Sequence, residues 1–576
     1  MSQAIKPAPT SNAPQAKPVQ MTGAEMVVES LKRLGVATIF GYPGGAILPI
    51  YDALYESGIE HILTRHEQAA IHAAEGFARA TGKVGTVMAT SGPGATNLIT
   101  GITDAYMDST PVVIITGQVA TSLIGSDAFQ EADVMGITMP ITKHNFQVRK
   151  TEDIPRILAE AYHIAGTGRP GPVLVDVPKD VANGKANFVF PETVNIRGYN
   201  PTTMPSMLQI ERVAEAIAEA ERPLMYIGGG IISSEASEEL RRFARESGIP
   251  VASTLMGLGA YPQNDPLYVG MLGMHGTYAA NMAIFHCDLL IACGVRFDDR
   301  VTGKLERFSP NSKKVHIDVD PAEIGKNVAI EYPIVADAKN ALKALLEKAP
   351  RANCADWQRQ IAAWKAEYPL SFKQQGESLK PQYVIDLINK LTDSRAIVTT
   401  EVGQHQMWAA HFYQFNEPRK WITSGGLGTM GYGFPAAIGA QLAKPDELVI
   451  CIAGDASIQM NIQELQTIAE RNIPVKVFII NNGFLGMVRQ WQELFHENRL
   501  SESKIGAPDF ARVAEAFNVK GIRAENTAQA EQAIKDALAH PGPVVVDFIV
   551  EEAENVFPMV PPGKGTDELI VKGWEE

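Results

Sequence analysis

Residues 448–482, LVICIAGDASIQMNIQELQTIAERNIPVKVFIINN, carry the pattern that decides the fold. Two apolar runs rich in β-branched residues, LVICIA and VKVFII, flank a helix-like stretch, NIQELQTIAERN. Short apolar runs of this kind are typical of parallel strands that helices cover on both faces. The segment therefore predicts a strand–helix–strand unit of an α/β sheet, with polar residues following each strand.

Those polar residues predict a cation site. Asp455 follows the first strand and Asn482 follows the second, so we expect both at the same edge of one sheet. Carboxylate and amide oxygens are ligands that Mg²⁺ prefers, and its shell is usually completed by water and phosphate oxygens. For Asp455 alone a plainer interpretation is better: a helix cap, with Asn481 and Asn482 in an ordinary turn.

The same alternation of helix and strand runs through most of the chain. One run contains VATIF, GTVMAT, PVVIITG and PVLVDVP; the next contains PLMYIGGG, IPVAS, DLLIACG and KKVHIDVD; the last contains AIVTTEVG, the decisive segment and PVVVDFIV. Polar or weakly apolar connections separate the runs near residues 186–205 and 349–380. The predicted fold class is α/β, with three doubly wound parallel-sheet domains that bind ligands at the carboxyl ends of their strands.

The predicted boundaries follow from these connections. They are a disordered leader (1–20), rich in Pro, Ala, Ser and Gln, three domains (21–188, 205–348 and 379–552) and a C-terminal tail (553–576). MTGAEMVVESLKRLG, residues 21–35, predicts a capped helix that ends at Gly35.

Composition excludes several classes of protein. The 576 residues include 51 Lys and Arg against 65 Asp and Glu, a formal net charge of −14 that disfavours nucleic acid and anionic membranes as partners. The four cysteines form no CxxC pair, and no apolar run reaches the roughly 18 residues of a membrane span. The leader resembles neither a secretory signal nor an Arg-rich transit peptide, so we expect a cytoplasmic enzyme.

A second motif competes for the same region. Residues 426–431, GLGTMG, match the GxGxxG pattern, and Asp455 follows at about the spacing of a ribose-binding acid. The motif does not follow a clean buried strand in the sequence, and its glycine density exceeds the usual fingerprint. Nicotinamide binding is therefore the less favoured interpretation.

Motifs scattered over all three predicted domains together resemble one family. They are GYPGGAILPIYDAL, RHEQAAIHAAEGFARATG, SGPGATN, GRPGPVLVDVPKD, GVRFDDRVTG, GTMGYGFPAAIGA, GDAS and LGMVRQWQELF. In this order they resemble the catalytic subunits of the biosynthetic acetohydroxyacid synthase (acetolactate synthase) family, from about Thr22 to about Ile570. GDAS with NN is similar to the GDG…NN signature of thiamin-diphosphate enzymes, with Ala456 where glycine is commoner.

The resemblance implies a pyrimidine-binding domain, a flavin-binding middle domain and a diphosphate-binding domain. It implies thiamin diphosphate, Mg²⁺ and FAD as cofactors, pyruvate decarboxylation, and ligation of the two-carbon unit to pyruvate or 2-ketobutyrate. A thiamin- and flavin-dependent pyruvate oxidase or a related carboligase is the alternative enzyme. A catalytically silent flavoprotein scaffold is disfavoured because Glu67, Asp455 and Asn482 are all present.

Site residues carry over from the resemblance at matching positions. Glu67 would hold the pyrimidine ring. Without the resemblance, the plainer interpretation of Glu67 is an acidic residue in the first turn of a helix, where the helix dipole favours it. The implied catalytic residues are Glu67, Gly45, Gln130 and Lys179, the metal ligands are Asp455, Asn482 and the carbonyl of Phe484, and the substrate contacts are Phe129 and Trp491. Residues implied at thiamin diphosphate are Gln404, His405, Met430, Gly454, Ala456, Ser457 and Met487. Those implied at FAD are Arg169, Gly229, Gly230, Thr254, Leu255, Gly273, His275, Gly294, Arg296, Asp298, Arg300, Asp318 and Asp337.

The resemblance also implies partners. Family active sites are shared between chains, so we expect at least a homodimer, and a homotetramer is also compatible with the resemblance. Nothing in the sequence reads as an amino-acid sensor, so feedback by branched-chain amino acids would need a separate small regulatory subunit. The small-molecule partners would be 2-keto acids.

Overall fold

A computed structural model describes residues 19–348 and 351–571. Within these ranges, three six-stranded sheets form the framework, and every strand pairing in them is parallel. Two hydrophobic clusters cover each sheet, one on each face, so successive side chains of a central strand enter opposite clusters. Burying each Val, Ile or Leu in this way contributes about 1.5–3 kcal/mol. The predicted fold class is confirmed.

The first unit contains a sheet in the order β3-β2-β4-β5-β7-β6 and a small antiparallel ribbon of β1 and β8. Its strands are β1 (Gln20–Thr22), β2 (Thr38–Tyr42), β3 (Glu60–Leu63), β4 (Gly85–Ala89), β5 (Val112–Gln118), β6 (His144–Gln147), β7 (Pro172–Pro178) and β8 (Lys185–Asn187). Its helices are α1 (Gly23–Arg33), α2 (Leu48–Leu54), α3 (Glu67–Thr81), α4 (Pro93–Thr96), α5 (Ile99–Met107), α6 (Val134–Thr138), α7 (Ile154–Gly166) and α8 (Lys179–Asn183).

The middle unit has the sheet order β11-β10-β9-β12-β13-β14. Its strands are β9 (Pro223–Ile227), β10 (Val251–Ser253), β11 (Tyr268–Met271), β12 (Leu289–Cys293), β13 (Lys313–Asp318) and β14 (Tyr332–Val335). Its helices are α9 (Met207–Glu219), α10 (Gly229–Ser233), α11 (Ser237–Ser247), α12 (Tyr278–His286), α13 (Asp299–Thr302), α14 (Ala338–Lys348) and α15 (Ala355–Glu367).

The third unit has the sheet order β16-β15-β17-β18-β20-β19. Its strands are β15 (Ile397–Thr400), β16 (Trp421–Thr423), β17 (Val449–Gly454), β18 (Lys476–Asn481), β19 (Lys520–Ala524) and β20 (Val544–Ile549). Its helices are α16 (Pro381–Leu391), α17 (Gln404–Phe412), α18 (Gly433–Ala443), α19 (Asp455–Ile458), α20 (Leu465–Arg471), α21 (Gly486–Phe495), α22 (Phe510–Ala516) and α23 (Thr527–Ala539).

Three local expectations change at the unit boundaries. Residues 1–18 of the expected leader lie outside the described residues, but Gln20, its last residue, is not disordered: it opens β1 and pairs with Asn187. Helix α1 begins after Thr22, whose side chain and Glu25 form a capping box, and it ends at Arg33 rather than at Gly35. The connection expected near 349–380 contains α15, because Trp357 is buried on the middle sheet and its indole N–H donates to the carbonyl of Pro223 (3.1 Å).

Helices α3 and α18 join the first unit to the third. A Cβ on Gly76 would lie 2.0 Å from the carbonyl oxygen of Ala436, and one on Gly439 would lie 1.8 Å from that of Ala73. Only glycine allows the two backbones to approach so closely. This contact fixes the helix that begins with Glu67 relative to the Gly-rich loop that precedes α18.

Candidate active site

The predicted metal residues meet at the carboxyl edge of the third sheet. Strands β17 and β18 pair in parallel, so Asp455 and Asn482, which follow them, lie side by side. The carboxylate Oδ2 of Asp455 accepts a hydrogen bond from the backbone N–H of Gly483 (3.0 Å). The side-chain oxygen of Asn482 accepts one from the N–H of Phe484 (3.2 Å).

Asp455 is a buried carboxylate that lacks a cationic partner within the described part of the chain. It is 2% exposed, and burial raises its pKa to about 7. A cation at this edge would offset the cost of burying the charged form. Carboxylate, amide and carbonyl oxygens form a hard donor set, so the three predicted ligands fit a divalent cation such as Mg²⁺.

Polar groups for an anionic ligand lie beside this edge. Gln404 begins α17; its side-chain oxygen accepts from the amide of Asn482 (3.2 Å), and its amide donates to Gln490 (2.9 Å). His405 is buried, its Nε2 has no hydrogen-bond partner, and burial lowers its pKa to about 3. A neutral imidazole with one unpaired nitrogen is free to bind a phosphate oxygen if that nitrogen carries the proton.

The predicted residues Gly454, Ala456 and Ser457 complete this edge. A Cβ on Gly454 would lie 2.8 Å from His405 Nδ1, so glycine is needed for the close approach. The Ser457 hydroxyl donates to Glu401 (2.7 Å), a fully buried carboxylate that also accepts from the N–H of Gly433. Burial raises the pKa of Glu401 to about 7. Sequence reasoning missed Glu401, and its position after an apolar strand, like that of Asp455, was the available signal.

Glu67 lies at the first position of α3, in the first unit. Its Oε2 accepts from the side-chain amide of Asn97 (3.0 Å), and a Cβ on Gly94 would approach its Oε1 at 3.3 Å. Asn97, which sequence reasoning did not single out, therefore orients the carboxylate. Asn97 is the last residue of the SGPGATN motif, which was the sequence feature that could have identified it.

The other residues of the first unit that are predicted at the reacting centre or the substrate are exposed. Gly45 and Lys179 are on the surface, Phe129 is 89% exposed, and Gln130 is exposed with a φ of +58°. No hydrogen bond or ion pair in the described ranges joins these four, or Glu67, to the Asp455 edge. The chain brings together the residues at the metal edge, and within the described residues no bond joins the predicted catalytic residues to that edge.

A cavity of about 1420 Å³ lies where the three units meet. Twelve of the thirteen residues that the resemblance implies at FAD line it, the exception being Gly273. Gly273 adjoins the wall between Leu272 and Met274, and a Cβ there would lie 2.7 Å from the carbonyl oxygen of Arg300. The predicted group is therefore gathered within a single chain.

Glycines and charged side chains shape this cavity. A Cβ on Gly230 would lie 2.5 Å from the Cα of Gly294, so the ends of β9 and β12 touch through their backbones. Arg296 and Arg300 line the cavity, as do Asp318, whose pKa burial raises to about 6, and Asp298. Cations beside hydrogen-bond acceptors suit a ligand that carries both phosphates and hydroxyl groups.

Arg169, which the resemblance implies at FAD, lines the cavity and is already paired within the chain. Its guanidinium already pairs with Glu323 (2.7 Å) and Asp320 (3.3 Å), while Nε donates to the hydroxyl of Ser109. It therefore ties the first unit to the middle unit at the cavity wall. His275 is buried nearby, its Nδ1 is unpaired, and burial lowers its pKa to about 3.

Met487 and Trp491 lie on α21 and line the same cavity. The ring of Trp491 contacts the ring of Phe495 on the same helix. The guanidinium carbon of Arg300 lies 5.8 Å from the centre of the Trp491 ring. The indole thus borders the cavity instead of packing into a core. Val488 is 47% exposed on the same helix.

Met430 is half-buried in the loop between β16 and α18. The expectation that no clean buried strand precedes GLGTMG is wrong: β16 is buried throughout, but it has only three residues and forms a sheet edge. Gly425 to Gly428 line the large cavity, and sequence reasoning did not assign them to it. The high glycine content of this segment was the sequence feature that could have identified these residues. It is the same feature that argued against a nicotinamide-binding motif.

Metal clusters, membrane spans and cysteines can be stated for the described part of the chain. Across residues 19–348 and 351–571, no cluster of three or more His, Cys, Asp or Glu residues is arranged to hold a metal ion. No helix in these ranges is long and apolar enough to cross a membrane. All four cysteines are buried and unpaired.

Comparison with known families assigns each unit. The model "Thiamine pyrophosphate enzyme, N-terminal TPP binding domain" matches residues 21–137, the central-domain model matches 210–345, and the C-terminal TPP binding domain model matches 401–548. Three such domains in this order, with the polar edge after β17 and β18, define a thiamin-diphosphate-dependent enzyme.

Individual relatives narrow the class. The chain is 50% identical to the acetolactate synthase large subunit of Haemophilus influenzae, over 97% of this chain and 99% of that protein. It is 50% identical to the acetolactate synthase isozyme 3 large subunit of Escherichia coli K12, over 95% and 98% of the two chains. It is also 50% identical to the large subunit from Corynebacterium glutamicum, over 97% and 91%. The chain belongs to the acetolactate synthase large-subunit family.

Proposed function

We propose that the chain is the catalytic subunit of an acetohydroxyacid synthase. It decarboxylates pyruvate and joins the two-carbon unit to pyruvate or 2-ketobutyrate, which gives 2-acetolactate or 2-aceto-2-hydroxybutyrate. The observation that carries the proposal is the adjacency of a buried Asp455 carboxylate and Asn482 at the end of the paired strands β17 and β18, in a chain that matches large subunits over almost its whole length. Bound thiamin diphosphate would supply the electron sink for decarboxylation.

The metal and diphosphate would be held by the third unit. Asp455, Asn482 and the carbonyl of Phe484 would bind Mg²⁺. Gln404 and His405 would contact the diphosphate, with Gly454, Ala456 and Ser457 forming the floor of the site. The unpaired Nε2 of His405 supports its role at the diphosphate, since buried polar groups normally have a partner. The burial of the Asp455 carboxylate supports its role at the metal, since a cation would stabilise its charged form.

The first unit would supply the proton chemistry. Glu67 would hold a proton at N1′ of the pyrimidine ring, and its bond from Asn97 fixes the carboxylate for that task. Met430 would support the bent cofactor from the third unit. Gly45, Gln130, Lys179 and Phe129 would line the approach of the 2-keto acids, and Trp491 would contact the acceptor.

FAD would occupy the large cavity. The glycine contact between β9 and β12, the arginines and the acids support a dinucleotide there. The ligation involves no net oxidation, so the flavin would have a structural role and would not transfer electrons. Decarboxylation followed by carboligation needs no electron acceptor, whereas the oxidase alternative does.

The assembly would be a homodimer or homotetramer with shared active sites. Exposed apolar side chains adjoin both halves of the site, namely Phe129 and Leu48 on the first unit and Leu427 and Met460 on the third. Exposed apolar groups of this kind are typical of interfaces. The large-subunit designation of the relatives supports a separate small regulatory subunit.

One assay tests the function. The purified chain is incubated with pyruvate and Mg²⁺, with and without thiamin diphosphate, and the products are separated. Acetolactate that depends on thiamin diphosphate is the expected result. Acetate or acetyl phosphate with stoichiometric reduction of the flavin would instead establish the oxidase alternative.

A further inference from the structure

Two aspartates of the first unit bind the Gly-rich loop of the third unit. Asp108 follows α5 and accepts hydrogen bonds from two consecutive backbone N–H groups, those of Gly425 (2.8 Å) and Gly426 (2.7 Å). Asp104, one helical turn earlier, accepts from the hydroxyls of Ser424 and Thr429, the latter at 2.9 Å. Neither side chain has exposed surface.

A buried ionic network supports both aspartates. Arg79 of α3 donates to Asp108 (2.7 Å) and to the carbonyl of Thr423 (2.6 Å), the residue that ends β16. Its guanidinium also lies over the ring of Tyr432, the residue that precedes α18. The loop is therefore held at both ends and in the middle by side chains of another unit.

The loop contributes to two separate sites. Gly425 to Gly428 line the large cavity, and a Cβ on Gly426 would lie 2.9 Å from both Asp108 Oδ1 and Arg296 Nη2. Thr429, whose N–H donates to the Ser424 hydroxyl (2.8 Å), directly precedes Met430. A displacement of the backbone between Ser424 and Thr429 would thus move the flavin wall and the thiamin support together.

We propose that Asp108, assisted by Asp104, is a positioning residue that couples the FAD cavity to the thiamin site through this loop. Hydrogen bonds to a charged carboxylate are stronger than those between neutral groups, so the two adjacent bonds to Asp108 hold the loop backbone in place. The inference rests on the proposed flavin role, because it requires that FAD occupy the cavity. The contact between the two units would thus serve both the FAD cavity and the thiamin site, although it touches no reacting atom.

The test compares Asp108→Asn and Thr429→Val with Thr110→Val in the full-length chain. Asp108→Asn keeps the shape but loses one acceptor and the ion pair, and Thr429→Val removes one hydroxyl without changing charge. Thr110→Val is the matched control, because Thr110 accepts from Arg79 (3.1 Å) in the same network but does not contact the loop. Flavin fluorescence gives the FAD affinity, and calorimetry in Mg²⁺ gives that for thiamin diphosphate.

We expect Asp108→Asn to weaken both affinities by about 10-fold or more, the scale for lost hydrogen bonds to a charged group. Thr429→Val should weaken both by a smaller factor, and it decides the question if Asp108→Asn does not fold. Thr110→Val should leave both within about twofold, since it lowers only stability. Loss of only one affinity, or a lower melting temperature with both affinities unchanged, would overturn the coupling. An unchanged chain that binds thiamin diphosphate but no FAD would overturn the flavin role, and the coupling with it.

Discussion

The large cavity and the thiamin site differ in how one chain builds them. The cavity gathers twelve of its thirteen predicted residues from a single chain, and all three units contribute to its wall. The thiamin residues are divided: Asp455 and Asn482 are buried together, while Gly45, Gln130 and Lys179 lie on an exposed face. One chain therefore encloses the residues predicted at FAD, whereas its residues predicted at thiamin diphosphate and substrate lie partly in the interior and partly on the surface.

This difference explains the pattern of exposure. Phe129, a predicted substrate contact, is 89% exposed, so covering it with another surface would remove apolar area from water and be favourable. Exposed apolar side chains of the third unit, including Leu427, would also be stabilised if another surface covered them. Covering both with a second copy would complete the thiamin site without altering the cavity.

Glu67→Gln tests the exposed half and has the largest expected effect. The amide keeps the hydrogen bond to Asn97 in one orientation but cannot exchange a proton at N1′. We expect turnover to fall by about 10²–10⁴-fold, the range for an acid–base group. Steady-state assays measure the loss, circular dichroism should be unchanged, and Glu56→Gln, an exposed acid of the same unit, is the control. Activity within a few-fold of the unchanged chain would remove Glu67 from the mechanism.

Asp455→Asn tests the buried half. A neutral amide removes the charge that would balance Mg²⁺, so we expect thiamin diphosphate to bind about 100-fold more weakly at fixed Mg²⁺. Calorimetry measures this affinity. Asp547→Asn is the control for the loss of a neighbouring buried charge, because that carboxylate on β20 accepts from Asn481 (2.9 Å) and its charge acts on Asp455, but it is not a predicted ligand. Equal losses in the two variants would contradict a specific metal role for Asp455.

Trp491→Leu tests whether Trp491, in the cavity wall, also contacts the acceptor 2-keto acid. The indole face would contact the extra methyl of 2-ketobutyrate, and one methylene in an apolar pocket is worth about 1–3 kcal/mol. We expect the preference for 2-ketobutyrate over pyruvate to fall about 10-fold while the first decarboxylation is retained. Competition between the two acceptors measures it, with Phe495→Leu as the control. An unchanged product ratio in a folded variant would return Trp491 to a structural role.

Arg300→Ala tests the cavity alone and has the smallest expected effect. Its side chain is 63% exposed, so solvent screens its charge and we expect flavin retention and turnover to fall by about fivefold or less. Arg307→Ala, which removes an exposed arginine outside the cavity wall, is the control. Replacing FAD with a 5-deaza analogue should retain most activity. Loss of all activity with the analogue would show that the flavin transfers electrons.

The sequence predicted the central strands and missed the edges. In each of the three sheets the four inner strands were predicted, and both edge strands were not. Inner strands such as β17 are buried on both faces and are therefore continuously apolar. Edge strands are short, like β16, or carry polar residues, like β6 (HNFQ), so their sequences resemble loops.

Contacts at the candidate site divide in the same way. The adjacency of Asp455 and Asn482 was predictable because parallel strands share an edge. Partners that depend on packing between units, such as Asp108 against Gly425 and Gly426, were not, because they are 317 and 318 positions apart in sequence. The pairing of Arg169 with Glu323 was missed for the same reason.

The central claim, that the thiamin site is divided between two chains, is tested most directly by mixing two inactive variants. Glu67→Gln and Asp455→Asn chains are co-expressed with different tags, and the doubly tagged oligomers are isolated and assayed beside the parents. If each site takes Glu67 from one chain and Asp455 from another, random pairing leaves about a quarter of the sites intact in the mixture, and the mixed oligomers regain activity that neither parent has. If both residues act within one chain, every site in the mixture keeps one defect. Mixed oligomers as inactive as their parents would contradict the account.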